Sequence, residues 1–60
     1  MEKRFISPQE LSQFLDLRKD TIYSWIWQRK IPYFKIGSRV KFDLKEIEAW
    51  LEDKKRKEIN

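Results

Sequence analysis

The stretch Ile31-Pro-Tyr-Phe-Lys-Ile-Gly-Ser-Arg-Val-Lys-Phe42 decides the fold. Phe34, Ile36, Val40 and Phe42 are apolar, whereas Lys35, Ser38, Arg39 and Lys41 are polar, which is the alternation of half-buried strands. The one glycine of the chain, Gly37, sits midway, where a tight turn needs a positive φ. The stretch therefore reads as a β-hairpin with a basic outer edge. A loop of Gly37 and Ser38 alone would set Ile36 against Arg39 and Phe34 against Lys41, mixing apolar and charged residues on one face. A loop of Gly37, Ser38 and Arg39 pairs Ile36 with Val40 and Phe34 with Phe42, leaving one face wholly apolar. A one-residue slip turns every side chain to the other face. The pattern thus predicts the longer loop, with Arg39 at its tip.

Helical signals flank the hairpin on both sides. Upstream, Ser7-Pro8-Gln9-Glu10 has the spacing of a capping box with proline at the first helical position. Leu11, Phe14 and Leu15 follow at i, i+3, i+4 and form a narrow apolar stripe. Asp16-Leu17-Arg18 is a short connection, and a second helix is predicted from about Lys19 to Lys30, ended by Pro32. Downstream, Asp43-Leu44-Lys45-Glu46 caps a third helix that turns Leu44, Ile47, Trp50 and Leu51 inward, with Trp50 closing the core beneath the hairpin. Residues 52–60 alternate in charge and are expected to fray. The predicted fold is mainly α with a β-hairpin wing, in the order α-α-β-β-α, over residues 1–52, followed by a charged C-terminal tail at 53–60.

Sixty residues permit one domain with a modest core, for which nine aromatic side chains are a plausible remedy. The absence of cysteine and histidine excludes disulfides and the usual zinc constellations. The apolar runs are too short for a membrane span or a signal peptide, so a soluble cytoplasmic protein is expected, with no membrane partner. Catalysis is not expected either, because the commonest nucleophiles and bases are missing, and no cofactor or small-molecule ligand is called for.

Charge is distributed unevenly along the chain. Residues 17–42 carry Arg18, Lys19, Arg29, Lys30, Lys35, Arg39 and Lys41 against Asp20 alone, a local charge of +6 in a chain whose total is +4. The flanking segments are each slightly acidic. Positive charge is thus concentrated on the second helix and the hairpin, as for a polyanion-binding surface.

Two helices joined by about three residues make a helix-turn-helix, with the second as candidate recognition helix. On a wheel of about 100° per residue, Arg18, Ile22, Trp25, Ile26 and Arg29 fall on one side, and Asp20, Tyr23, Ser24, Trp27 and Gln28 on the other. Ile22, Trp25 and Ile26 are most simply core. Tyr23 and Trp27 on the outer side have no such explanation, since a lone domain gains little by exposing both.

These elements carry a resemblance. Ile6-Ser-Pro-Gln-Glu-Leu11, Thr21-Ile-Tyr23, Ile31-Pro32, Lys35-Ile-Gly-Ser-Arg-Val-Lys-Phe42 and Ile47-Glu-Ala-Trp-Leu51, in that order, resemble the excisionase-type helix-turn-helix family. That family is related to the DNA-binding domains of the mercury-resistance (MerR) regulators. The resemblance covers roughly residues 5–52. It implies a MerR/excisionase-like winged helix whose second helix enters a major groove while the wing lies along the backbone or minor groove. It also implies a recombination directionality factor or a small transcription regulator. Carried over by position, Lys19, Thr21, Tyr23 and Ser24 fall on the recognition helix, and Lys35, Arg39 and Lys41 on the wing. The chain departs from the family pattern at Asp16, where glycine is usual, at Arg18, where a small hydroxyl residue often caps the second helix, and at Ser24, where a basic residue is common.

The expected function is sequence-specific binding of double-stranded DNA. The expected contacts are Arg18, Lys19, Thr21, Tyr23, Ser24, Trp27 and Gln28 on the second helix, and Lys35, Ser38, Arg39 and Lys41 on the wing. Further copies of the chain on DNA, or a recombinase, are possible partners. Two other classes compete. Tyr23 and Trp27, at i, i+4, could anchor a partner protein, and aromatics beside cations also suit single-stranded RNA.

Overall fold

A computed structural model of the chain describes residues 4–58. Its elements run β1 (Phe5–Ile6), α1 (Pro8–Leu15), α2 (Lys19–Trp27), β2 (Phe34–Ile36), β3 (Arg39–Asp43) and α3 (Leu44–Glu58). The three strands form an antiparallel sheet in the order β1-β3-β2, so β3 is paired on both edges. The winged helix-turn-helix expected from the sequence is present, with β1 as an additional short strand at its start.

Every element except β2 sends one apolar side chain to a common centre. Ile6 of β1, Leu11 of α1, Ile22 of α2, Phe42 of β3 and Ile47 of α3 are buried, together with Ile31 from the loop before the hairpin. Burying a side chain of this size contributes roughly 1.5–3 kcal/mol, so none of these five elements could be removed without opening the core. The aromatic residues do not form this centre as composition suggested. Phe42 is the only one of them in it, and Trp25, Tyr33 and Trp50 pack around its rim.

The first helix starts as the capping box requires. The Glu10 amide donates to Ser7 Oγ at 3.1 Å, and the Ser7 amide donates to Glu10 Oε1 at 3.0 Å. Its apolar stripe is narrower than predicted. Phe14 is 56% exposed, whereas Ser12 is buried and satisfied by donating its hydroxyl to the Gln9 carbonyl at 2.7 Å. The helix stops at Asp16, which adopts the left-handed conformation with φ 56°, while the Asp16 and Leu17 amides return to the Gln13 and Ser12 carbonyls. This is the double hydrogen bond of a Schellman turn. It explains why glycine suits that position, and aspartate is one of the few other residues that tolerate it.

The second helix ends three residues earlier than predicted and by a different device. Arg29 takes φ 55°, and the Arg29 and Lys30 amides bond to the carbonyls of Ile26 and Trp25 at 3.1 and 2.9 Å. A second Schellman turn therefore terminates α2 at Trp27, ahead of Pro32. The third helix runs on to Glu58, past the point where fraying was predicted, and Lys55–Glu52 and Lys57–Asp53 ion pairs line its last turns.

The hairpin register differs from the one predicted. Ile36 pairs with Arg39, Lys35 with Val40 and Phe34 with Lys41, so the loop is Gly37 and Ser38 alone. Gly37 has φ +62°, and Ser38 is not in the positive region, the sign pattern of a type II′ turn. The prediction assumed that all four apolar residues share a face. In the structure Val40 and Phe42 face the core, while Phe34 finds its partner on the outer face. Its ring lies edge-on to Phe5 of β1, with centroids 5.6 Å apart at 82°. The unforeseen strand supplies the contact that makes this register favourable.

Trp50 does not close the core beneath the wing. It packs edge-on against Trp25 at 5.6 Å, donates its indole N–H to the Lys30 carbonyl at 2.9 Å, and carries Lys54 over its ring. It thus fastens α3 to the end of α2. Trp50→Ala is expected to cost about 3 kcal/mol, the low end of the range for a large aromatic, and Trp50→Phe distinctly less. A melting temperature of Trp50→Ala equal to that of the parent would remove this role.

Candidate nucleic-acid interface

Local geometry decides what α2 presents. Ile22 points into the core and Trp25 and Ile26 pack on its rim, as the wheel required. The opposite side carries Lys19, Tyr23 and Trp27 at i, i+4, i+8, with Asp20, Ser24 and Gln28 beside them. All six are exposed, Trp27 most of all at 85%. The Gln28 amide donates to Ser24 Oγ at 2.8 Å, which holds both polar groups on the surface. Thr21 is half-buried. Arg18 precedes the helix in an extended conformation, with φ −74° and ψ 146°, and offers it no side-chain cap. This agrees with the replacement of the usual hydroxyl residue there. Its guanidinium lies 3.8 Å from Asp20, and both side chains are almost fully solvated, so the pair holds little energy.

Strand alternation decides what the wing presents. On β3, Arg39, Lys41 and Asp43 take the outer face, and Val40 and Phe42 the inner one. Lys35, Ser38 and Arg39 are exposed and Lys41 is half-buried. Among the described residues, Lys19, Arg29, Lys30, Lys35, Arg39 and Lys41 have no acidic partner. Apart from the solvated Arg18–Asp20 pair, the positive charge of residues 17–42 therefore meets no described acidic side chain. Such a field attracts polyanions and is screened by salt.

A cleft of about 340 Å³ joins the two elements. Tyr23 of α2 forms one wall, Ser38, Arg39, Val40 and Lys41 of the wing another, and Ser7 and Pro8 at the start of α1 complete it. Four of the sequence-predicted site residues, Tyr23, Ser38, Arg39 and Lys41, thus meet in one place. Arg18, Lys19, Thr21, Ser24, Trp27, Gln28 and Lys35 lie outside the cleft. The sequence reading missed Ser7 and Pro8, which it saw only as a helix start. No sequence signal tied them to the wing, because their place in the cleft follows from the pairing of β1 with β3.

The wing is held in position at Asp43. Its carboxylate receives the Arg4 guanidinium at 3.2 Å and the Lys45 amide at 2.9 Å, and the Leu44 amide bonds to the Arg4 carbonyl at 2.8 Å. One residue therefore joins β1, β3 and the start of α3.

With this geometry the chain belongs to the helix-turn-helix domain family, whose model matches residues 5–55. The family is associated with excisionase-like DNA-binding proteins and is typically non-enzymatic. No curated protein and no solved structure matches the chain. No described helix is long and apolar enough to cross a membrane.

The Asp43 linkage gives a pH prediction. The Arg4 guanidinium foremost, then the Lys45 amide, hold the Asp43 carboxyl below its ordinary 3.8. A carboxyl depressed by folding contributes stability above its unfolded pKa and loses that contribution as pH falls through the folded value. Asp43→Asn is therefore expected to melt below the parent at neutral pH, with the gap closing in acid below pH 3.8. A gap of constant size down the acid limb would show that the carboxylate is not what fastens the wing.

Proposed function

We infer that this chain binds double-stranded DNA sequence-specifically, with α2 in the major groove and the wing along the adjacent backbone or minor groove. The observation that carries the reading is the cleft that unites Tyr23 with Ser38, Arg39 and Lys41. A single phosphodiester strand laid across it would meet a phenol, a hydroxyl and two cations, the groups that position a protein on a duplex. Lys19 stands at the start of the helix, where an inserted helix comes nearest the bases. Ser24 can donate or accept and so discriminates weakly.

One such domain makes few base contacts, and specificity at a single site would be modest. A role beside other bound proteins suits it better, as a recombination directionality factor or a small transcription regulator. Trp27 supports this. At 85% exposure it lies a full turn beyond Tyr23, past the cleft, where a neighbouring copy of the chain or a recombinase could cover it. The competing reading, a protein-interaction module without DNA, uses the same Trp27 but leaves the unpaired cations unexplained.

Titration with duplex DNA, single-stranded RNA and single-stranded DNA at two salt concentrations tests the reading. Duplex binding is expected to be tightest. Arg39→Ala with Lys41→Ala should weaken all duplexes alike and reduce the slope of log affinity against log salt by about two. Lys19→Ala and Tyr23→Ala should each cost about 1–3 kcal/mol on the preferred sequence. Wild-type duplex affinity in the folded Lys19→Ala, Tyr23→Ala double variant would transfer the case to protein interaction.

A further inference from the structure

The two-residue hairpin loop leaves one apolar side chain without a structural role. On the outer face of the sheet, Phe5 and Phe34 cover each other ring to ring. Ile36 has no such partner. It is 60% exposed and is not among the side chains packed on the core. Strand propensity alone does not call for it, since threonine has the same branched Cβ without the apolar surface. The residue directly across from it is Arg39, and the two form the pair next to the Gly37–Ser38 turn. An aliphatic group and a guanidinium therefore stand side by side at the narrow end of the wing, with Lys35 adjacent in the chain and Lys41 next along the same face.

We propose that Ile36 is a wedge that enters the minor groove of duplex DNA and partly unstacks a base step, with Arg39 beside it in the groove. This rests on the DNA-binding reading above and adds to it a chemistry that phosphate contacts do not supply. Charge complementarity selects the occupant. A protein surface covering Ile36 would have to neutralise Arg39 and Lys41 on the same face. A minor groove offers anionic walls on both sides and apolar base surface between them. The side chain also matters. Single-stranded nucleic acid is gripped by aromatic platforms, whereas a branched aliphatic has no face to stack and works by prying a step open. The two-residue loop puts Ile36 and Arg39 at the very end of the ribbon, so the side chains can reach into the groove without the strands entering it. In the three-residue register Ile36 would have stood opposite Val40 on the core face, and no wedge could form.

A wedge favours steps that unstack easily, of which TA is one. The experiment uses the full chain and a short alternating T-A duplex in which one adenine is replaced by 2-aminopurine, a fluorophore quenched by stacking. Anisotropy of a label on the duplex end reports binding separately. On saturation the parent should raise 2-aminopurine fluorescence several-fold. Ile36→Ser should bind within a few-fold of the parent, through its remaining cations, but leave the fluorescence near that of free duplex. Ile36→Leu should restore the rise. Circular dichroism melting checks that all three are folded, which the exposure of the site leads one to expect. Equal fluorescence gain by Ile36→Ser, or none by the bound parent, overturns the wedge while leaving DNA binding intact. Failure of the parent to bind any duplex overturns the DNA-binding reading and the wedge with it.

Discussion

Phe42 sits fully buried in the middle strand of the sheet, and its burial constrains the rest of the molecule. With Phe42 held inward, alternation sends Arg39, Lys41 and Asp43 outward. Two of these supply the outer-face cations of the wing, and the third ties β1 to the head of α3 through Arg4 and the Lys45 amide. Pairing with β1 then brings Ser7 and Pro8 to the base of the wing, and Leu11, on the same helix, packs into the core beside Ile22. Ile22 in turn orients α2, so that Lys19, Tyr23 and Trp27 face outward. A core of six buried side chains leaves little redundancy. In a domain this small, the surface that meets a partner is a direct consequence of what a single strand buries.

The features legible in the sequence were those with a local cause. The capping box at Ser7 and Glu10, the three-residue connection, the start of α2 at Lys19 and the glycine of the hairpin turn each follow from a few neighbouring residues. Those that were not legible depend on distant parts of the chain. The pairing of Phe34 with Lys41 is favourable because Phe5, 29 positions earlier, supplies an aromatic partner on the outer face, and β1 is only two residues long. Helix ends failed for another reason. Arg29 carries no sequence mark of a left-handed residue, yet it closes α2 as glycine would have done. Phe14 warns that a large apolar residue on a helical stripe need not be core.

For the candidate surface, residue type was easier to read than arrangement. The run of unpaired cations between Lys19 and Lys41 was evident in composition. That Tyr23 would share a cleft with Ser38, Arg39 and Lys41 was not, since it needs the hinge between α2 and the wing. That segment, through Ile31, is fastened by the Lys30 carbonyl to Trp50 of α3. The third helix lines no part of the cleft but is hydrogen-bonded to the segment that joins α2 to the wing.

The claim that α2 and the wing act as one surface is tested most directly by nuclear magnetic resonance of the labelled protein during titration with duplex DNA. The amides of Lys19, Tyr23, Ser38, Arg39 and Lys41 should shift together along one binding curve, while those on the outer side of α3, such as Glu48 and Glu52, stay still. Shifts confined to the region of Trp27, or to α3, with the wing unmoved, would contradict it.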